Sequence, residues 1–420
     1  MLINRDNYLQ QLISARGDGM IKILTGVRRC GKSFLLFTLF RNWLIDNGIP
    51  EDHIIAINLE DRMNRELRDP DQLLHYINAR ITDSAQYFIL LDEVQMVDEF
   101  VDVLNSLLHI PNAETYVTGS NSRFLSKDVV TEFRGRGWEI RLYPLSFREY
   151  MSVYPGSKEE GWNDYMRYGG LPQIFNYTTP EQKQAFLRNI WQTVYLSDVI
   201  ARYHVRGRKE LAELLQVVAS ALGSPLNPGN LSNTFRSSAG KKVSAATIAS
   251  WLEHLEDAFI IERCQRFDIR GKHYIGTLPK YYFVDPGIRN SILDFRQKDD
   301  GHLMENVIYT ELRRRGYSVD VGLIENRTRQ SDGSQPRQQL EVDFVVNRGS
   351  ERLYIQSSLR LYDQEQCQRE KRPLMQIPDS FRKILLTADN TLPWNDDDGI
   401  LTVPLQRFLF GTWSDLTTGI

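Results

Sequence analysis

The sequence predicts an α/β fold: a parallel sheet flanked by helices, then a helical segment, a winged helix and a second α/β domain. Three observations predict it. Over residues 1–150 apolar strands, at 21–25, 54–59, 87–91, 115–118 and 139–142, alternate with helical patterns, as in a parallel sheet built from βαβ units. The first strand runs into Gly26-Val27-Arg28-Arg29-Cys30-Gly31-Lys32-Ser33, a complete G-x-x-x-x-G-K-[ST] loop, and an apolar helix begins at Phe34. The strand Tyr87-Phe88-Ile89-Leu90-Leu91 ends in Asp92-Glu93, two acids where an open parallel sheet binds ligands.

The glycine loop is expected to form a nest of inward N–H groups at a helix N-terminus, a site for a nucleoside triphosphate. Glycines 26 and 31 let the backbone curl. Lys32 reaches the β/γ-phosphates and Ser33 ligates Mg²⁺. The bland alternative, a tight glycine turn, is disfavoured by the acids downstream. Asp92 suits the Mg²⁺ shell, directly or through water, and Glu93 is positioned to polarise an attacking water. The next strand ends in Thr118-Gly119-Ser120-Asn121, where Thr118, Ser120 or Asn121 is expected to sense the γ-phosphate. The residues do not decide among the three, and a Gly-Ser turn is the competing reading. Before the last strand stand Arg134 and Arg136, candidates for stabilising transition-state charge from a neighbouring copy, or else a solvated basic turn. The first reading implies a homo-oligomer.

Residues 151–205 read as helices, punctuated by Tyr168-Gly169-Gly170-Leu171-Pro172. Within 206–290, a helix capped by Ser244, with Ile248, Leu252 and Leu255 on one face, precedes two strands. These strands, around 259–267 and 280–284, are expected to bracket the basic turn Arg270-Gly271-Lys272, the outline of a winged helix. From 291 to 420, a helix at 303–314 leads into strands at 318–323, 341–346 and 352–356, with a polar loop at 326–339.

Bulk properties set limits. The chain has 420 residues, 41% hydrophobic and 25% charged, with a net charge of −3. That is ordinary globular composition for two to four domains, with no global attraction to nucleic acid or membrane. Residues 201–290 carry a mild basic bias, 13 Lys and Arg against 8 Asp and Glu. Three widely spaced cysteines build neither a disulfide framework nor a zinc site. With no apolar signal core and no run of membrane-spanning length, a reducing, cytoplasmic setting is expected.

The ordered set GVRRCGKS, FILLDE, TGSNS, FRGRG and Pro144-Leu145-Ser146-Phe147-Arg148-Glu149-Tyr150 resembles the bacterial and archaeal AAA-type ATPases of the archaeal-ATPase-like group. The Y-G-G-L-P run and the region of Asp198 resemble that group as well. The resemblance implies an AAA-type P-loop ATPase core (1–150), a helical lid or linker (151–205), a winged helix (206–290) and a nuclease-like domain (291–420). The cofactors implied are ATP and Mg²⁺. Glu305, Asp343 and Tyr354-Ile355-Gln356-Ser357-Ser358 fall in the order of a restriction-endonuclease-like core, whose acids hold Mg²⁺. Where that pattern wants E-x-K, this chain has Gln356-Ser357-Ser358, so an inactive nuclease-like fold is favoured. Glu341 is expected to face away from Asp343 and not to compensate.

Lys241, Lys242, Arg266, Arg270, Lys272 and Lys280 are expected to meet nucleic-acid phosphates, with a protein partner as the alternative for 206–290 and 291–420. The functional expectation is an ATPase that couples nucleotide state to rearrangement of its C-terminal domains on a nucleic-acid or protein partner. The alternatives are a nucleotide-gated assembly switch with slow turnover, and an ATP-controlled DNA nuclease.

Overall fold

The computed structural model of the chain describes residues 2–119, 135–239, 243–274, 276, 278–327, 337–361, 363–389 and 392–411. The chain divides into two compact units. The first is Met1–Leu145 with two short returns, Leu171–Gln173 and Asp257–Phe259, and the second is the remainder.

The first unit is built on a five-stranded sheet: β1 (Ile21–Thr25), β2 (Ile54–Asn58), β3 (Tyr87–Asp92), β4 (Ala113–Thr118) and β5 (Gly137–Arg141). The order is β2-β3-β4-β1-β5 and every pairing is parallel. β1 and β3 are buried along their whole length, as continuous apolar runs in a parallel sheet covered on both faces should be. One core packs Ile23, Ile57, Ile89, Leu91 and Val117 of the sheet against Leu73, Ile77 and Leu104 of the helices Pro70–Asn78 and Phe100–Leu107. Parallel strands put the exits of β1, β3 and β4 on one edge, where Gly26, Asp92 and Thr118 stand.

The second unit opens on the helix Phe147–Met151. Ser146 caps it and Glu149 reaches back to the Ser146 N–H, a full capping box that explains Ser and Glu three apart in the P-L-S-F-R-E-Y segment. Helices Lys158–Tyr168, Pro180–Asn189 and Leu196–Tyr203 follow. The turn after Tyr168 is tied down by Asp285, which caps the helix Pro286–Ile292 and accepts from the Gly170 N–H at 2.6 Å. Gly169 has φ +74, and a Cβ there would lie 1.9 Å from Asp285 Oδ1, so only glycine fits.

Helices Arg208–Ser220, Pro228–Ala239 and Ala245–Asp257 come next, the last capped by Ser244, which accepts from the Thr247 N–H. Four strands follow: β6 (Ile261–Cys264), β7 (Arg266–Asp268), β8 (His273–Tyr274) and β9 (Lys280–Phe283). β6 and β9 form the two-stranded antiparallel ribbon. One expectation is corrected here. The Arg270–Lys272 turn is not the tip of that ribbon, because it joins β7 to β8. The reason is burial: Phe267 and Ile269 belong to the apolar cluster of the large sheet, and β7 pairs with that sheet instead.

The large sheet adds β10 (Ser318–Arg327), β11 (Arg337–Arg348), β12 (Glu351–Ser358), β13 (Arg382–Thr387), β14 (Trp394–Asn395) and β15 (Ile400–Pro404). Its order is β14-β15-β13-β12-β11-β10-β7-β8, with mixed parallel and antiparallel pairs. β10 and β11 extend into the segment expected as a loop at 326–339, whose remainder lies outside the described residues. The helix Asp300–Arg314 supplies Glu305.

Candidate nucleotide-binding site

The loop from Gly26 to Ser33 leaves β1 and enters a helix that starts at Lys32 and continues through π-helical turns over Leu35–Phe40. Gly26 has φ +140, and a Cβ there would meet Leu142 O at 2.1 Å, so the loop lies directly on the chain leaving β5. Gly31 has φ +105 and Arg29 φ +66, the left-handed turns that curl the loop. Val27 and Cys30 are buried beneath it. Arg28 is half-buried, while Ser33 and Phe34 stand exposed at the helix start. The buried Lys32 ammonium donates to Gly26 O at 3.0 Å and Val27 O at 3.2 Å.

The two acids of β3 take different postures. Asp92 is buried and accepts from the Ser33 hydroxyl at 2.9 Å and the Thr118 hydroxyl at 2.5 Å. Burial pushes its carboxyl above the usual carboxylate range, opposed by those two hydrogen bonds and by the Lys32 charge. A buried carboxylate beside a serine hydroxyl is a donor set that fits Mg²⁺, and Ser33 with Asp92 would hold it. Glu93 is half-buried in the left-handed region, φ 55, with its carboxylate bonded by the Gln95 amide. Its N–H donates to Thr118 Oγ at 2.9 Å.

Of the three sensor candidates, Thr118 is thus tied to both acids. Ser120, Asn121 and Arg134 lie outside the described residues. Arg136 is exposed just before β5, and β5 pairs with β1 from Ile21↔Gly137 to Thr25↔Arg141. Arg136 therefore stands at the sheet edge opposite the glycine loop.

Three supports escape sequence reasoning. Arg5 is buried and donates to Cys30 O at 3.3 Å and Tyr143 O at 2.6 Å, clamping the loop to the chain after β5. Pro172 Cγ would lie 3.9 Å from a Cβ on Gly31, and Gln173 Oε1 accepts from Arg29 at 3.5 Å. Nothing in residue type or spacing signals contacts this distant in sequence.

The acids of the second unit form a different constellation. Glu305 Oε1 accepts from Lys280 Nζ at 3.1 Å and from the Tyr282 hydroxyl at 2.5 Å. Glu341 bonds the same ammonium at 2.7 Å and Arg266 at 2.6 Å. Glu341 shares a face with Asp343, correcting the expectation, because strand residues two apart point the same way. Asp343 is held by Gln356 and by the Ser357 N–H and hydroxyl. Burial and the neighbouring Glu305 charge raise its carboxyl to about 7 despite Lys280 and Ser357. Lys280, beside Glu305 and Glu341, is held above its ordinary value although burial opposes this.

These contacts also correct the basic-surface expectation. Lys280 is buried, and Lys280 and Arg266 are engaged by internal acids rather than presented to phosphates. Arg270 donates to Glu325 O and Gln376 O, and Lys272 is exposed. Lys241 and Lys242 lie outside the described residues.

A family model described as an AAA domain matches residues 18–151, and one described as a domain of unknown function (DUF8612) matches 159–299. The chain is 33% identical over 393 residues to an uncharacterized protein of Haemophilus influenzae, covering 92% of this chain and 94% of that one. It is 27% identical over 359 residues to the uncharacterized protein MJ1544 of Methanocaldococcus jannaschii, covering 82% and 75%. Among solved structures, the Aeropyrum pernix ORC1 protein in complex with DNA matches 70% of this chain and 92% of its own at 13% identity and a TM-score of 0.30. The S. cerevisiae Hsp104–ADP complex matches 61% of this chain and 39% of its own at 16% identity and a TM-score of 0.31. Among the described residues no helix is long and apolar enough to cross a membrane.

Proposed function

Because the chain belongs to one family with the Haemophilus influenzae protein and carries an AAA domain followed by a domain of unknown function, we propose that it is a Mg²⁺-dependent ATPase whose nucleotide state rearranges its C-terminal domains on a nucleic-acid or protein partner. The observation that carries the reading is the meeting of Ser33, Asp92, Glu93 and Thr118 at the exit edge of the parallel sheet, beside Lys32.

Lys32 and the loop N–H groups bind the β/γ-phosphates. Ser33 and Asp92 would hold Mg²⁺, whose charge would offset that of the phosphates during phosphoryl transfer. Glu93 takes a proton from the attacking water while the water oxygen bonds to the γ-phosphorus and the bond to the ADP oxygen breaks. Thr118 holds both acids in position. Asn121 remains a sensor candidate, and Arg134 or Arg136 acts from a neighbouring copy, so the working form is a homo-oligomer. The position of Arg136 supports this: β5 spans about 16 Å, too far for an arginine at its start to reach its own glycine loop. Three free cysteines, Cys30 and Cys264 buried, suit a reducing cytoplasmic setting.

The decisive experiment is steady-state hydrolysis by three proteins, with and without duplex DNA. Lys32→Ala is expected to lose turnover altogether. Glu93→Gln is expected to bind ATP and lose turnover roughly 10²–10⁴-fold. Wild-type turnover in Glu93→Gln would remove Glu93 as the base. Stimulation by DNA points to a nucleic-acid partner; its absence points to a protein.

A further inference from the structure

We propose that the Lys280 ammonium occupies the place of a divalent cation among Glu305, Glu341 and Asp343, making this a metal-free, lysine-filled acidic centre that cleaves no phosphodiester.

Each acid that would hold a metal already accepts hydrogen bonds from the protein. Lys280 Nζ bridges Glu305 Oε1 at 3.1 Å and Glu341 Oε1 at 2.7 Å, and is itself buried. The Tyr282 hydroxyl donates to the same Glu305 oxygen, and Arg266 donates to Glu341 Oε2. Both oxygens of Asp343 are used, Oδ1 by Gln356 Nε2 at 3.1 Å and Oδ2 by the Ser357 N–H and hydroxyl at 2.8 and 2.7 Å. A hard divalent cation needs several such oxygens turned toward it at 2.0–2.6 Å. Among the described residues, no group of three or more His, Cys, Asp or Glu could hold a metal.

Gln356 and Lys280 make one consistent exchange. The Gln356 amide donates to Asp343 Oδ1 and its carbonyl accepts from the Asp343 N–H at 3.2 Å. A carboxylate at 356 would face Asp343 oxygen to oxygen and need a cation between them. An amide removes that need, and the lysine supplies the remaining positive charge from β9. The arrangement is internal to the second unit and does not depend on the ATPase reading.

The test uses the full chain without nucleotide, titrated with Mn²⁺. Bound metal is read by the loss of the free-ion spin signal, and stability by thermal unfolding. Wild type is expected to show no Mn²⁺ uptake that Asp343→Asn removes, no Mn²⁺-dependent rise in Tm, and no nicking of supercoiled plasmid. Lys280→Met leaves buried acids without their cation, so its Tm should fall and recover with Mn²⁺. The recovery should vanish in Lys280→Met/Glu305→Gln. If Lys280→Met does not fold, Lys280→Gln carries the same Mn²⁺ measurement. Asp343-dependent Mn²⁺ uptake or cleavage by wild type overturns the proposal, as does a lysine variant whose Tm ignores Mn²⁺.

Discussion

The Thr118 hydroxyl donates to Asp92 Oδ1 at 2.5 Å and, through its lone pair, accepts the Glu93 N–H at 2.9 Å. One side chain at the end of β4 thereby sets both acids of β3, orienting the buried carboxylate and steadying the left-handed turn at Glu93.

Removing that hydroxyl should act on turnover more than on binding. Thr118→Val leaves the Glu93 N–H unpaired, at about 1–3 kcal/mol if water cannot replace the bond. We expect kcat for ATP hydrolysis to fall at least tenfold with little change in nucleotide affinity, and Thr118→Ser to restore most of it. Equal losses in Val and Ser variants would assign Thr118 to packing alone.

The glycine loop has no tolerance at its first residue. In Gly26→Ala the new methyl would meet a backbone oxygen at 2.1 Å at a φ of +140. The backbone of Leu142 cannot yield as a side chain would. Titration with a fluorescent ATP analogue should show binding lost in Gly26→Ala, and affinity near wild type would mean that the loop shifts freely.

Arg136 is open to a mixing experiment. Arg136→Ala alone should bind ATP and lose turnover. Lys32→Ala alone should not bind it productively. Mixed, the two should recover part of the activity, because an interface can pair an intact loop from one copy with an intact Arg136 from the other. A mixture as inactive as its components would place the arginine's role elsewhere.

The turn at Gly169 and Gly170 should make stability depend on pH. Burial raises Asp285 to about 6, against hydrogen bonds from the Gly170, Ile288 and Gly287 N–H groups. A carboxyl raised on folding binds more protons folded than unfolded. Its stabilising contribution is therefore complete below about pH 4 and lost as pH rises through about 6, by roughly 3 kcal/mol at most. Asp285→Asn cannot titrate, so wild-type stability relative to it should decline across that window. A pH-independent difference in unfolding free energy would show that folding leaves the Asp285 carboxyl unshifted.

Much of the site was readable because its residues are neighbours in sequence or end recognisable strands. The eight residues of the glycine loop are consecutive, and Asp92-Glu93 closes an apolar run too buried to hold acids anywhere else. Ser146 and Glu149, three apart, carried the resemblance in the sequence, and the structure shows that they form a capping box. The Arg270–Lys272 turn misled because charge suggested a solvent tip, while Phe267 and Ile269 carried β7 into another sheet. Lys280 and Arg266 misled likewise: a basic residue in a strand reads as a surface charge until its acid is seen.

The sequence by itself determined the phosphate loop, the paired acids and the parallel αβ order around them, because these follow from local conformation and from strand burial. Tertiary structure alone decided that Arg5 clamps the loop from 138 residues before Tyr143, that Thr118 holds both acids, and that Lys280 fills the acidic centre. Those are contacts between segments far apart in the chain. Which donor meets which acceptor there depends on how strands align and bury, and no residue spacing records it.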